Sequence, residues 1–168
     1  FGHRPGDDIT KIEPQIIPDH DILCGGFPCQ AFSIIGSGKG FQDIRGTLFF
    51  NIAKILQAKM PRAFLLENVK QLTSHDKGKT YQVIEKTLKN LGYNVSAKIL
   101  NALDFGLPQK RERTIIVGFR DNVHFEFPQP LDKRADLKNF LDIENDSNPS
   151  LLASDYIIKK RLKRLKED

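Results

Sequence analysis

Short apolar runs alternate along this chain with longer segments whose apolar residues recur every three to four positions. Residues 21–24 consist of Asp21 and three apolar residues, and residues 63–66 are apolar throughout. Both runs are bounded by glycine, proline or charged residues, as is typical of buried strands. Residues 47–59 and 80–91 instead place their apolar side chains at helical spacing. This order of strand, helix, strand and helix predicts an α/β domain built on a parallel sheet.

Two further runs, the alternating one at residues 93–100 and the mostly apolar one at residues 114–117, predict the last strands of the sheet. Gly92 stands directly before the first of them, where the C-terminal cap of the second helix is expected. The segment that joins the two runs is too short for the crossover helix that a parallel connection needs. We therefore predict that the last strand is antiparallel to its neighbour.

The residues that follow the first apolar run predict an exposed thiol at the end of a strand. Gly25-Gly26 ends the run, and Pro28 restrains the backbone immediately before Cys29. Ligand sites of α/β sheets lie beyond the carboxyl ends of the strands, and Glu67 follows the second run in the same way. We therefore expect Cys29 and Glu67 to converge at one edge of the sheet.

The two cysteines of the chain, Cys24 and Cys29, lie five positions apart. They form neither a disulfide framework nor a zinc site, so we predict no metal and a reducing compartment. A free cysteine is commonly a small core hydrophobe, and this is our prediction for Cys24, inside the first strand. The same role is the simplest alternative for Cys29.

Composition limits the class of protein. The chain has 168 residues, of which 39% are hydrophobic and 28% charged, enough for one domain with a core. Most of the net charge of +5 lies in residues 155–168, a predicted amphipathic helix, so the charge alone does not predict nucleic-acid binding. No stretch has the length and apolarity of a membrane span, and none has the charged-then-apolar pattern of a signal sequence. We expect a cytoplasmic protein with no membrane partner.

Less periodic sequence marks the loops and the domain limits. The glycine-rich stretch at residues 36–40 is either a surface loop or a mobile lid over whatever Cys29 attacks. Residues 142–149 are rich in acidic residues and asparagine and predict a linker. We expect a catalytic part at residues 1–130, followed by a linker and a further region at residues 131–168.

Three motifs of this chain resemble, in order and spacing, the catalytic motifs of the DNA cytosine-5 methyltransferases, in particular those of bacterial modification methylases. They are Phe27-Pro28-Cys29-Gln30, Glu67-Asn68-Val69 and Gln109-Lys110-Arg111-Glu112-Arg113. The resemblance runs from about residue 8 to residue 120. It implies the catalytic half of a Rossmann-like S-adenosylmethionine-dependent methyltransferase sheet.

The resemblance also implies a reaction, the transfer of a methyl group to C5 of cytosine in double-stranded DNA within a bacterial restriction-modification system. Cys29 matches the nucleophile that adds to C6 of a flipped base, and Glu67 matches the carboxyl group that acts at N3. Arg113 matches the arginine that contacts the cytosine ring, with Arg111 beside it. The simpler alternatives are a surface carboxylate for Glu67 and a charged strand edge for the arginines.

Further site residues follow from the same resemblance. The S-adenosylmethionine residues would be Asp8, Ile9, Pro28 and Leu48, and the DNA residues would be Ser33, Arg45 and Gln109, with residues 34–40 as the lid. The family's glycine-rich cofactor loop, its target-recognition domain and its final helix have no counterpart in the sequence. We therefore expect a fragment that does not methylate DNA on its own, with residues 131–168 containing the start of the target-recognition region.

Other functions stay open at this point. One alternative is a subunit of a split methylase, completed by a partner subunit or by the remainder of its own chain. Others are an inactive DNA-binding remnant and a transfer-RNA methylase that uses similar chemistry. A cysteine hydrolase is a further alternative, but none of the four histidines stands in a recognisable pairing motif.

Overall fold

The computed structural model describes residues 8–28 and 48–132, together with residues 135–136, 140, 154, 156 and 159. The chain divides into two compact units, Phe1–Arg134 and Ala135–Asp168. The first unit contains four strands and two α-helices within its described residues. In chain order they are β1 Ile22–Gly26, α1 Leu48–Lys59, β2 Ala63–Val69, α2 Lys79–Asn90, β3 Asn94–Asn101 and β4 Glu112–Phe119.

The four strands form one mixed sheet in the order β1-β2-β4-β3. β1 and β2 run parallel, whereas β4 is antiparallel to both β2 and β3. The predicted antiparallel arrangement of the last strand is therefore confirmed, and the α/β class with it. Because β1 and β2 are parallel and adjacent, their carboxyl ends meet at the same edge of the sheet.

One face of the sheet carries the hydrophobic core. Alternate strand residues point to this face, where Phe64, Leu66 and Ile116 pack against both helices. The helices contribute a stripe of buried residues at helical spacing, which are Phe49, Ile52 and Leu56 of α1 and Ile84 and Leu88 of α2. Burying a side chain of this size contributes about 1.5 to 3 kcal/mol, so the two stripes hold the helices on the sheet.

The helices end as the sequence predicts. The last turn of α2 is followed by Gly92, whose φ of 88° is the left-handed conformation that glycine adopts at low cost. α1 ends at Lys59, two residues before Pro61. Within the described part of the chain, no helix has the length and apolarity needed to cross a membrane.

The first two strands extend further than predicted. β1 continues through Gly25 and Gly26, because both glycines pair with β2, opposite Leu66 and Glu67. β2 likewise continues to Val69, which pairs with Arg113 of β4. Glu67 therefore lies within the strand, not after it. Turn-forming residues marked these ends too early because the pairing partner, which decides where a strand stops, is remote in the sequence.

The prediction that Cys24 is a core residue is wrong. Cys24 is exposed. It pairs with Leu65, which is itself 41% exposed, on the sheet face opposite the two helices. The apolar run did not reveal which of its side chains face the helices, because a strand places successive side chains on opposite faces.

Candidate active site

Glu67 lies near the carboxyl end of β2, on the sheet face opposite the core. Its register partner on β1 is Gly26, and a Cβ atom at Gly26 would lie 3.5 Å from Oε2 of Glu67. The glycine therefore leaves room for the carboxylate above the end of β1. Two residues after Gly26 comes Pro28, and the next residue is Cys29.

Two arginines hold the other carboxylate oxygen of Glu67. Nε of Arg113 lies 2.8 Å from Oε1 of Glu67, and Nη2 of Arg111 lies 4.0 Å from the same atom. Arg113 pairs with Val69, so it is the diagonal neighbour of Glu67 across an antiparallel pair, within reach of long side chains. The structure thus brings together three of the four predicted catalytic side chains.

Exposure separates the two arginines. The Arg113 side chain is 26% exposed and makes the short contact, whereas the Arg111 side chain is 51% exposed. Exposed ion pairs contribute little, because water screens them. Arg113 also donates from Nη1 to the carbonyl of Glu112, which fixes its guanidinium. Arg113 is therefore the principal partner of Glu67.

A second ion pair joins the same two segments. Nζ of Lys70 lies 2.9 Å from Oε1 of Glu112. The hydrogen bond from Lys70, and to a smaller extent the positive charges of Lys70 and Lys110, hold the pKa of Glu112 below its usual range. Residues 67–70 and 111–113 are thus connected by ion pairs at two places.

Two asparagines that the sequence analysis did not single out hold the loops around this site. Asn68 is 2% exposed, and its Nδ2 donates to the carbonyl of Phe27 at 2.7 Å. Asn101 accepts at Oδ1 from the backbone N–H of Arg111 at 3.0 Å and from that of Leu103 at 3.3 Å. The Asn101 contact had a sequence signal, since asparagine is a common residue at the start of a helical turn. The Asn68 contact spans 41 positions and had none.

The predicted cofactor residues lie on the part of the unit that precedes and flanks α1. Ile9 and Leu48 are half-buried and pack against the core cluster, whereas Asp8 and Pro28 are exposed. Asp8 accepts hydrogen bonds from the backbone N–H and the hydroxyl of Thr10, which lower its pKa and keep it charged. Apolar side chains beside a charged acceptor fit an adenine ring with its amino group.

Other predicted site residues fall outside the described residues. These are Cys29, Ser33 and Arg45, together with the predicted lid at residues 34–40. Gln109 is described and exposed, and its side chain makes no hydrogen bond to any described residue. For Cys29, the predicted nucleophile, the structure therefore describes only the turn that leads to it, Phe27-Pro28.

Comparison with known proteins identifies a family and several relatives. The family model for C-5 cytosine-specific DNA methylases matches residues 1–167. The chain is 58% identical over 167 residues to type II methyltransferase M.NgoBI of Neisseria gonorrhoeae, covering 99% of this chain and 53% of that protein. It is 57% identical to M.HaeII of Haemophilus aegyptius, covering 100% and 53%, and 51% identical to M.HhaI of Haemophilus parahaemolyticus, covering 84% and 44%. The chain thus spans about half the length of these curated relatives.

Solved structures share the fold. The Dnmt2 methyltransferase of S. pombe superimposes with a TM-score of 0.69 at 24% identity, over 93% of this chain and 51% of that one. The methyltransferase EhMeth of Entamoeba histolytica gives a TM-score of 0.61 at 23% identity, over 83% and 44%. These similarities establish a methyltransferase fold for the mixed sheet.

Proposed function

The chain belongs to the C-5 cytosine-specific DNA methylase family, and we propose that it supplies the catalytic part of a DNA cytosine-5 methyltransferase of a bacterial restriction-modification system. The observation that carries this proposal is the carboxylate of Glu67. Arg113 holds one of its oxygens at 2.8 Å, and the other oxygen lies over Gly26, at the end of the strand that leads to Cys29. The reaction needs a carboxyl group at N3 and a thiol that adds to C6, and in this proposal Glu67 and Cys29 supply them.

The first step concerns Cys29. C5 of cytosine is too weakly nucleophilic to take a methyl group, so the sulfur of Cys29 adds to C6 and forms a C6–S bond. The electron pair of the C5–C6 double bond then makes C5 reactive. An ordinary thiol, with a pKa of about 8.5, is mostly protonated at neutral pH, so the addition requires loss of the thiol proton.

The second group is Glu67. Addition of the thiolate places negative charge on the ring, and a carboxyl group at N3 neutralises it by a hydrogen bond or by proton donation. Arg113 fixes the orientation of Glu67, and its own guanidinium contacts the ring. After methyl transfer, loss of the C5 proton and expulsion of the Cys29 thiolate restore the aromatic ring.

The cofactor in this proposal is S-adenosylmethionine, which supplies the methyl group for C5. Asp8 would accept a hydrogen bond from the adenine amino group, while Ile9 and Leu48 offer half-buried apolar surface. We assign Pro28 to the same cofactor site. C5 and C6 are buried in the stacked duplex, so the target base must leave the helix before reaction. We assign contacts to the DNA to Ser33, Arg45 and Gln109.

A methyl-transfer assay tests this function. The chain is placed in the M.NgoBI relative in exchange for its matching region, giving a protein that we call the grafted methylase. We expect Cys29→Ser and Glu67→Gln to abolish or sharply lower transfer of tritiated methyl groups while binding to duplex DNA survives. Cys24→Ser is the matched control, since Cys24 is an exposed thiol of β1, the strand that precedes Cys29, on the sheet face that bears Glu67. Turnover by the Cys29→Ser variant, or a folded grafted methylase that binds DNA without methylating it, would contradict the proposal.

The half-length match raises a second question, whether the chain acts alone. We propose that methylation needs the complementary half of the polypeptide, present in the same protein or in a partner subunit, with residues 131–168 containing the linker and the start of the region that reads the target sequence. Mixing the isolated chain with the complementary half of the M.NgoBI relative should restore methyl transfer that neither piece shows alone. Activity from the isolated chain would refute this requirement, and DNA binding that no added half converts into activity would favour an inactive remnant.

A further inference from the structure

Asn68 places its side chain on the sheet face opposite that of its neighbour Glu67. Its amide reaches the turn that leads to the predicted nucleophile. We infer that Asn68 is a positioning residue, which sets the placement of Cys29 relative to Glu67 by holding the carbonyl of Phe27. The inference rests on the proposed function, since it assumes that the thiol and the carboxylate act on one base.

The amide orientation is fixed by its two partners. Nδ2 of Asn68 donates to the carbonyl oxygen of Phe27 at 2.7 Å, and Oδ1 accepts from the backbone N–H of Val69 at 2.8 Å. The opposite orientation would put two oxygens against each other at one end and two N–H groups at the other. Asn68 therefore acts as a donor to the turn, a role that an aspartate in its charged form cannot fill.

Burial makes this contact a rigid one. Asn68 is 2% exposed and Phe27 is 6% exposed, so water does not compete for the hydrogen bond between them. The ring of Phe27 also packs against that of Phe49, with centroids 5.4 Å apart. Phe27 is thus held at two places. Its ring packs on Phe49 of α1, and its carbonyl accepts a hydrogen bond from Asn68 of β2.

The consequence lies in the strand geometry. Adjacent strand residues point to opposite faces, so Glu67 faces the proposed base while Asn68 faces the core. One dipeptide of β2 thereby supports both halves of the chemistry, the carboxylate directly and the thiol through the Phe27-Pro28 turn. A displacement of the turn would move Cys29 without moving Glu67.

Thr114 provides a matched control. It is the register partner of Asn68 on β4, is fully buried and faces the core. Its hydroxyl donates to the carbonyl of Val69 at 3.3 Å. Thr114→Val therefore removes a partly buried hydrogen bond beside Asn68, one whose acceptor lies outside the Phe27-Pro28 turn.

Two measurements on Asn68→Leu, Asn68→Asp and Thr114→Val test the inference. The first is alkylation of Cys29 by iodoacetamide in the isolated chain, relative to Cys24 as internal reference, followed by mass spectrometry from pH 6 to 9. This readout does not depend on methylation. The second is the rate at which the grafted methylase forms a covalent complex with duplex DNA that contains 5-fluorocytosine, measured against DNA concentration.

We expect both Asn68 variants to change the ratio of Cys29 to Cys24 alkylation by about threefold or more, as a thiol in altered surroundings does. We expect the maximal trapping rate to fall by about a hundredfold, because a misplaced reacting group is costly, while half-saturation by DNA shifts by less than about twofold. Thr114→Val should leave all three quantities near those of the wild type.

Unchanged alkylation ratios in folded Asn68 variants would overturn the inference, as would equal effects of Thr114→Val and the Asn68 variants. Should Asn68→Leu fail to fold, Asn68→Ser serves in its place, because a serine hydroxyl is too short to reach the Phe27 carbonyl. A wild-type grafted methylase that traps no DNA would speak against the proposed function, while the alkylation ratios would still decide the role of Asn68.

Discussion

The register between β2 and β4, which brings Arg113 to Glu67, depends on a glycine in the core. Gly118 is the register partner of Phe64, and an ideal Cβ built at Gly118 would lie 3.0 Å from Cδ1 of Phe64 and closer still to Cε1 and Cζ. A slip of one residue would move Arg113 to the opposite face of the sheet. The perturbation that tests this packing is Gly118→Ala, which adds one methyl group.

The loss of stability caused by Gly118→Ala depends on how far the ring of Phe64 can move away from the new methyl group. Carbon atoms in contact lie about 3.5 to 4.0 Å apart, so the nearest ring atoms would have to retreat by more than about 1 Å. Phe64 is 2% exposed and its ring meets that of Tyr93 edge-on, with centroids 5.1 Å apart, so little space lies behind it. Overpacking of this kind costs about 1 to 3 kcal/mol. We expect Gly118→Ala to lower the free energy of unfolding by about 2 to 3 kcal/mol, within that range.

Urea unfolding of the chain, followed by circular dichroism, measures this loss. Gly25→Ala is the matched control, because Gly25 also lies in a strand on the core face. A Cβ there would lie 3.7 Å from Ile52 and 3.8 Å from Leu66, which is ordinary contact. This control should change stability by less than about 0.5 kcal/mol or raise it slightly, since alanine restricts the unfolded chain.

The double variant Gly118→Ala with Phe64→Leu separates a steric clash from other effects. A smaller side chain at position 64 makes room for the new methyl group, so the two substitutions together should cost less than the sum of their separate costs. A loss below about 1 kcal/mol for Gly118→Ala, or strict additivity in the double variant, would refute this reasoning.

Further predictions concern the ion pairs of the candidate active site. In the grafted methylase, Arg113→Gln should slow trapping of 5-fluorocytosine DNA about tenfold, because it removes a charge-assisted hydrogen bond to Glu67. Arg111→Gln, at 4.0 Å and half exposed, should slow it by less than about threefold; equal effects would contradict this order. The lowered pKa of Glu112 implies a contribution to stability that is complete above the unfolded value of about 4.3 and is lost as pH falls through the folded value. Lys70→Met should therefore flatten the acid side of the stability profile measured by urea unfolding, and an unchanged profile would exclude this ion pair as its cause.

The sequence predicted the fold because each signal lay in the element that it described. The apolar periodicity of α2 and the glycine that follows it give its face and its end, without knowledge of any partner. The short connection between β3 and β4 likewise decided their antiparallel pairing. Strand ends were less predictable, since β1 and β2 stop where their pairing stops, and the exposure of Cys24 depended on which face the helices cover.

The sequence predicted the side chains of the candidate site but not the residues that hold them in place. Motif spacing named Glu67, Arg111 and Arg113, which the structure then brings to one carboxylate oxygen. Motif spacing did not show which arginine is the principal partner of Glu67, because strand register and side-chain exposure decide this. The support from Asn68 joins positions 27 and 68, a distance in sequence over which no local pattern carries information.

The alternation of β2 side chains explains why a carboxylate and a buried amide occupy adjacent positions. Glu67 must face the proposed base, so its successor necessarily faces the core, where an apolar residue would serve packing alone. An asparagine there introduces a buried polar group, which is costly unless both of its ends are hydrogen-bonded. Both ends are bonded, one within β2 and the other to the carbonyl of Phe27. The contact that satisfies the amide is therefore the same contact that fixes the turn before Cys29, so stability and the placement of the nucleophile depend on a single side chain.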